Sequence, residues 1–139
     1  MLMKPLNALL ICVLSAALFS CIYEHFDYRL TLINKTRGKI ATEVYDDTIP
    51  DYPSVNLREV YLGRAIAPDS SATKMQWGKE GWPDYLKRSK NGKLNLVVFD
   101  YEDIEKSKSI DSITAHKKYR KITVSRSELF INNWHVVIK

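Results

Sequence analysis

Residues 93–99 read KLNLVVF, and the reading of this stretch decides the fold. A short run so rich in Leu, Val and Phe, ahead of an acidic turn, has the composition and length of a strand. Alternation places Leu94, Leu96 and Val98 on one face and Val97 and Phe99 on the other, so neither face suits water. A strand covered on both sides belongs at the centre of its sheet, with a second sheet or a layer of helices packed on it.

Working outward, the neighbouring segments carry the same period. YRLTLIN (28–34) sets Tyr28, Leu30 and Leu32 against Arg29, Thr31 and Ile33, and KIATEVY (39–45) alternates again after KTRG, which reads as an antiparallel hairpin. Residues 46–56, DDTIPDYPSVN, hold two prolines and no periodicity and mark an irregular connection. REVYLGRAI (58–66) reads as a third strand with Val60, Leu62 and Ile66 on one side, and ATKMQW (72–77) as a weaker one. WPDYLKRSKNG (82–92) predicts a short helix, with Pro83 at its first position, Asp84 and Lys87-Arg88 matched to its dipole, and Gly92 at its end. Residues 100–119 are polar with isolated isoleucines and predict one or two helical turns. RKITV (120–124) is a strand, Ser125 to Glu128 fits a capping box, Asn133 suits a left-handed close, and WHVVIK ends the chain as a strand with Trp134, Val136 and Ile138 on one face. The expected fold class is mainly β: a single small antiparallel β-sandwich-like domain with two or three short helices.

The 139 residues, 45% hydrophobic and 27% charged, suit one globular domain, but the first twenty stand apart. MLMKPLNALLICVLSAALFS has a basic start and a compact apolar stretch, the layout of a secretory signal; the alternative, a permanent spanning helix, reaches the required length over Leu6 to Tyr23 only by counting Asn7, Ser15 and Ser20. Leu18-Phe19-Ser20-Cys21 resembles the bacterial lipobox, with Leu18 and Ser20 matching and the bulky Phe19 of a kind that Bacteroidetes-type lipoproteins accept. The resemblance implies cleavage before Cys21 and a diacylglycerol on its sulfur. The expected organisation is a lipoprotein signal peptide at 1–20, a lipidated tether at 21–27 and one globular β-rich domain at 28–139. Cys12 leaves with the signal, so Cys21 is the one remaining cysteine and no internal disulfide forms.

Loss of Lys4 with the signal leaves 20 basic against 16 acidic residues, a formal charge of +4 in place of +5. The excess sits in LKRSKNGK (86–93) and HKKYRK (116–121), which suit either a solvated face or anionic head groups and glycans. Neither segment has the glycines and paired aromatics of an RNA-reading sheet, and an exported chain is a poor partner for nucleic acid.

Candidate chemistry is sparse. Asp100, Glu102, Asp103 and Glu105 form the densest acidic cluster and could act as paired carboxylates in glycoside hydrolysis or bind calcium, although the spacing and glycine of a calcium loop are missing. The plainer reading is that they cap the following helix. His25, His116 and His135 share no metal-ligand spacing, no G-x-S-x-G elbow is present, and no cofactor motif occurs. Trp77, Trp82 and Tyr85, with Tyr45, Tyr52 and Tyr61, offer either a stacking platform for sugar rings or ordinary core aromatics.

LNLVVFDYEDIEK and YRKITVSRSELFINNWHVVI, with WPDYL and DYP before them, resemble the ending of a group of small, uncharacterised Bacteroides-type lipoproteins. The likeness rests on Phe99, Asp100, Glu102, Glu105, Lys106, Arg120, Ser125, Glu128, Leu129, Asn133 and Trp134 and covers roughly the last 60 residues plus the lipobox. It implies a small, mainly β lipoprotein and carries no functional residue with it. The expectation for function is a non-enzymatic cell-envelope lipoprotein, lipid-anchored in the outer membrane and facing either the periplasm or the cell surface. It would bind an envelope protein or a glycan, with Trp77, Trp82 and Tyr85 as candidate ligand-binding residues. The alternative is a glycan-active hydrolase using the carboxylates of the Asp100 to Glu105 segment.

Overall fold

The computed structural model describes residues 25–45 and 57–139; Cys21, with the lipobox-like stretch before it, and the connection at 46–56 lie outside the described residues. Among the described residues there are six strands: β1 (Phe26–Asn34), β2 (Ile40–Tyr45), β3 (Ser71–Trp77), β4 (Leu94–Asp100), β5 (Arg120–Val124) and β6 (His135–Ile138). Five short helices accompany them: α1 (Arg58–Gly63), α2 (Gly81–Arg88), α3 (Tyr101–Lys106), α4 (Ile110–Ala115) and α5 (Arg126–Ile131). The strands form two three-stranded sheets, ordered β3-β1-β6 and β2-β4-β5. The chain is a small, mainly β, sandwich-like domain, as its pattern predicts.

KLNLVVF is the middle strand of the second sheet, and every residue from Leu94 to Phe99 is buried. Leu94, Leu96 and Val98 enter a core between the sheets with Leu30 and Leu32 of β1, Val136 and Ile138 of β6, and Trp82 and Leu86 of α2. Val97 and Phe99 enter a second core with Tyr61 of α1, Ile104 of α3, and Ile110 and Ile113 of α4. Tyr61 meets the Phe99 ring edge-on, with centroids 5.6 Å apart. The structure therefore has both a second sheet on one face of β4 and a helix layer on the other.

Three local readings change. The expected β1–β2 hairpin does not form: β1 is central in one sheet, while β2 pairs with β4 in the other. Buried Asn34 explains the divergence. Its amide donates to the carbonyls of Gly38 and Ile66, both at 2.8 Å, and its oxygen accepts from the Thr36 amide, a side-chain turn that re-aims the chain. REVYLG is helix α1, not a strand, because Val60, Tyr61 and Leu62 pack on the second core as successive helical positions and only Ile66 pairs in β fashion, with Ile40. Tyr28 points to solvent, 58% exposed, because the β1–β3 register shifts between Asp27 and Leu30 and buries Asp27 in its place. β6 pairs with β1 in parallel, since it arrives through α5 from the far sheet. Helix α2 stops at Arg88 and not at Gly92, whose left-handed φ of 66° serves the separate turn that follows Ser89. Ser125 and Glu128 make both bonds of the capping box, and Asn133 adopts a left-handed φ of 49°.

Buried Asp27 ties the first sheet to α2. One carboxylate oxygen accepts from the Arg29 amide at 3.1 Å and its Nε at 2.8 Å, while the other accepts from the Trp82 amide at 3.0 Å. The residue at the helix's own cap position, Glu80, makes no side-chain cap, so β1 caps α2 from outside. Gly81 allows the close fit, since a Cβ there would meet Gln76 at 3.1 Å. Asp27→Ala leaves a buried amide and a guanidinium without their acceptor and is expected to cost about 3 kcal/mol. Leu96→Ala, by opening the inter-sheet core, is expected to cost about 2–5 kcal/mol. Urea denaturation followed by far-UV circular dichroism checks both, and a loss under about 1 kcal/mol for either variant contradicts the structural role of that residue.

Candidate functional site

The sheets are joined at a seam between two strand edges that have no strand partner among the described residues, β2 of the second sheet and β3 of the first. Helix α2 closes this seam with the polar ends of its aromatics. Trp82 Nε1 donates to the Lys74 carbonyl at 3.2 Å, and Tyr85 Oη donates to the Tyr45 carbonyl at 2.6 Å. The two rings meet edge-on at 5.6 Å and are nearly buried, at 2% and 6% exposed. Trp82 and Tyr85 are thus staples across the seam, each hiding an apolar body and using its one polar handle on a strand edge.

Beside them lies a cavity of about 240 Å³ lined by Thr42, Glu43, Tyr61, Arg64, Lys74 and Gln76, among others. Lys74 sits on the inward side of edge strand β3, and its Nζ donates to the Thr42 carbonyl at 3.0 Å. An inward lysine on an edge strand blunts that edge against a further strand. Burial holds the Lys74 ammonium below its ordinary value; Glu43 pushes it back up and Arg64 adds to the lowering. Among the described residues the buried Thr42 hydroxyl has no hydrogen-bond partner.

Trp77 lies elsewhere. It points away from the inter-sheet core, is 62% exposed, and packs on Phe26 with centroids 4.6 Å apart; Tyr28 continues the cluster 6.1 Å from Phe26. Met75 and Val137 are also exposed, on the same outer side of β3 and β6. The three aromatics singled out in the sequence therefore occupy two places: Trp82 and Tyr85 inside the seam, and Trp77 on the outer face of the first sheet. Phe26, Tyr28 and Lys74 complete these features without having been singled out. Their placement follows from the Phe26–Trp77 pairing and the shift after Asp27, which no single segment displays.

Three acids of the segment have basic neighbours. Asp100 lies 3.6 Å from Arg120, Glu102 lies 3.1 Å from Lys106, and Asp103 lies 3.7 Å from Lys118. Asp100 occupies the cap position of α3, but its side chain makes no capping bond; Glu102 and Asp103 lie in the first turn and favour the helix through its dipole. Three of the acids line a depression of about 570 Å³ with Lys39 and Tyr101. The same ion pairs engage part of the basic stretch at 116–121, and in 86–93 Lys87 pairs with Asp84 at 2.8 Å. Among the described residues no group of three or more His, Cys, Asp and Glu side chains is arranged to hold a metal ion, and no helix is long and apolar enough to cross a membrane. No family model, curated protein or solved structure matches the chain.

Lys74 gives a pH-dependent prediction. Its folded-state value lies below the ordinary 10.5, so the burial penalty is fully present below the folded value and fades as pH climbs from there toward 10.5. Lys74→Met should therefore be more stable than the wild type at pH 7, and the gap should close with rising pH. Urea midpoints of both proteins between neutral and alkaline pH read this difference; a gap that widens with pH contradicts it.

Proposed function

We propose that this chain is a non-enzymatic envelope lipoprotein, anchored through Cys21 to the outer membrane of a Bacteroidetes-type bacterium, that works by binding an envelope component or glycan. The lipobox pattern at Leu18 to Cys21 and the likeness to small Bacteroides-type lipoproteins motivate the location. The observation that carries the binding role is the outer face of the first sheet. Tyr28, Met75 and Trp77 are each more than half exposed on strands whose other side is core, with Tyr28 and Trp77 gathered around Phe26, and exposed apolar groups gathered in this way mark interaction surfaces.

Cys21→Ser is expected to move the protein from the membrane fraction to the soluble fraction, with protease shaving of intact cells deciding which side of the outer membrane it faces. Wild-type protein whose mass shows no lipid on Cys21 would refute the anchor. Trp77→Ala should lower retention on envelope polysaccharide or partner while the melting temperature holds, because the exposed indole contributes little to the core. A second reading, a glycan-active hydrolase, draws on the depression that Asp100, Glu102 and Asp103 share. Turnover of a glycan by purified protein, abolished by Asp100→Asn or Glu102→Gln, would replace the binding role with that one.

A further inference from the structure

We infer that the aromatic end of the first sheet rests on the bilayer surface, so that the envelope component this face meets is the head-group layer of the membrane holding Cys21. This rests on the lipoprotein reading and names the partner of the outer face.

Phe26, Tyr28 and Trp77 form a contiguous cluster, with ring centroids 4.6 and 6.1 Å apart and Tyr28 and Trp77 more than half exposed. Trp and Tyr are the side chains that favour the membrane–water boundary, where the ring meets apolar surface and the N–H or O–H stays wet. The cluster also lies where the chain leaves for its anchor. From Cys21 to Phe26 there are five residue steps, which span at most about 18 Å fully extended. Lipidation at Cys21 therefore keeps β1's first residue close to the interface, and so short a link gives the cluster a high effective concentration at the lipid. A soluble glycan has no such advantage.

The same end of the sheet carries more apolar surface. β6 runs parallel to β1 and follows α5, so α5 stands at the end where β1 begins. Its Phe130 and Ile131 are exposed, Ile131 at 79%, and the Arg126 guanidinium lies 5.5 Å over the Phe130 ring. Arg126 and Lys79, the latter two residues beyond Trp77, supply cations for lipid phosphates, whereas Arg29 is already engaged by Asp27 and Glu80. An aromatic patch beside basic side chains, at the root of a short lipid tether, fits a bilayer better than a protein partner.

The test uses the full-length lipidated protein reconstituted in phosphatidylethanolamine–phosphatidylglycerol vesicles, with or without brominated acyl chains. Tryptophan emission is compared between the wild type and Trp77→Phe. Trp82 and Trp134 are nearly buried, so they form a protected background. Brominated lipid is expected to quench wild-type emission, Trp77→Phe to lose most of that quenching, and Phe26→Ser/Tyr28→Ser to weaken it, all with unchanged far-UV circular dichroism. Wild type that floats with the vesicles but is not quenched overturns the seating and leaves the anchor intact. Protein whose mass shows no lipid on Cys21 and which does not float overturns the lipoprotein reading and the seating with it. Trp77 emission that ignores brominated lipid but shifts with purified envelope polysaccharide also overturns the seating and assigns the face to glycan.

Discussion

Strand β4 must be dry on both sides, and most of the architecture follows from that constraint. Its six residues from Leu94 to Phe99 are buried, three feeding the core between the sheets and two the core under the helices. The first sheet covers one face of β4, and α1, α3 and α4 cover the other. Once both covers are assigned to β4, nothing among the described elements is left to cover the outer side of the first sheet. The uncovered face is thus a consequence of how the apolar side chains are distributed, and the exposure of Tyr28, Met75, Trp77 and Val137 follows from it.

The elements that could be read from sequence are those whose pattern and packing agree. KLNLVVF, RKITV and WHVVIK alternate because they are strands, the Ser125 capping box is a local bonding pattern, and the Pro83 helix carries its own start signal. REVYLGRAI misled because over six residues Val60 and Leu62 satisfy period two as well as a single turn of helix satisfies its own period, and only packing on Phe99 decides between them. The hairpin expectation failed for another reason. Two alternating strands separated by a turn are a sound local pattern, but Asn34 spends its side chain on Gly38, Thr36 and Ile66, thirty-two residues away in the last case, and so sends β2 to the other sheet.

Polar side chains with distant partners decide most of what periodicity leaves open. Asp27, Asn34 and Lys74 each lie in a β context where a hydrophobic pattern would not ask for them, and each bonds to backbone more than thirty residues away: Trp82 for Asp27, Ile66 for Asn34 and Thr42 for Lys74. Such bonds satisfy groups that burial would otherwise leave costly, and they orient one sheet against the other. The candidate site shows the same limit. The sequence supplies the right aromatics, but whether an indole is a staple or a platform depends on whether its ring is covered, and Trp82 and Trp77, five residues apart, fall on opposite answers.

That division bears on function. Trp82 and Tyr85 spend their polar groups on the Lys74 and Tyr45 carbonyls, so a ligand competing for those rings would have to open the seam that joins the sheets. Trp77 spends nothing on the fold beyond its contact with Phe26, and its exposed surface can be covered without disturbing either core. Binding at the outer face is therefore the event that the fold can accommodate at least cost. Under the proposed binding role, the surface offered and the strands the fold depends on are kept separate. In this chain they are separated by the thickness of one sheet, with Leu30 and Leu32 holding the inner side of β1 while Phe26 and Tyr28 stand at the end where the chain departs for Cys21.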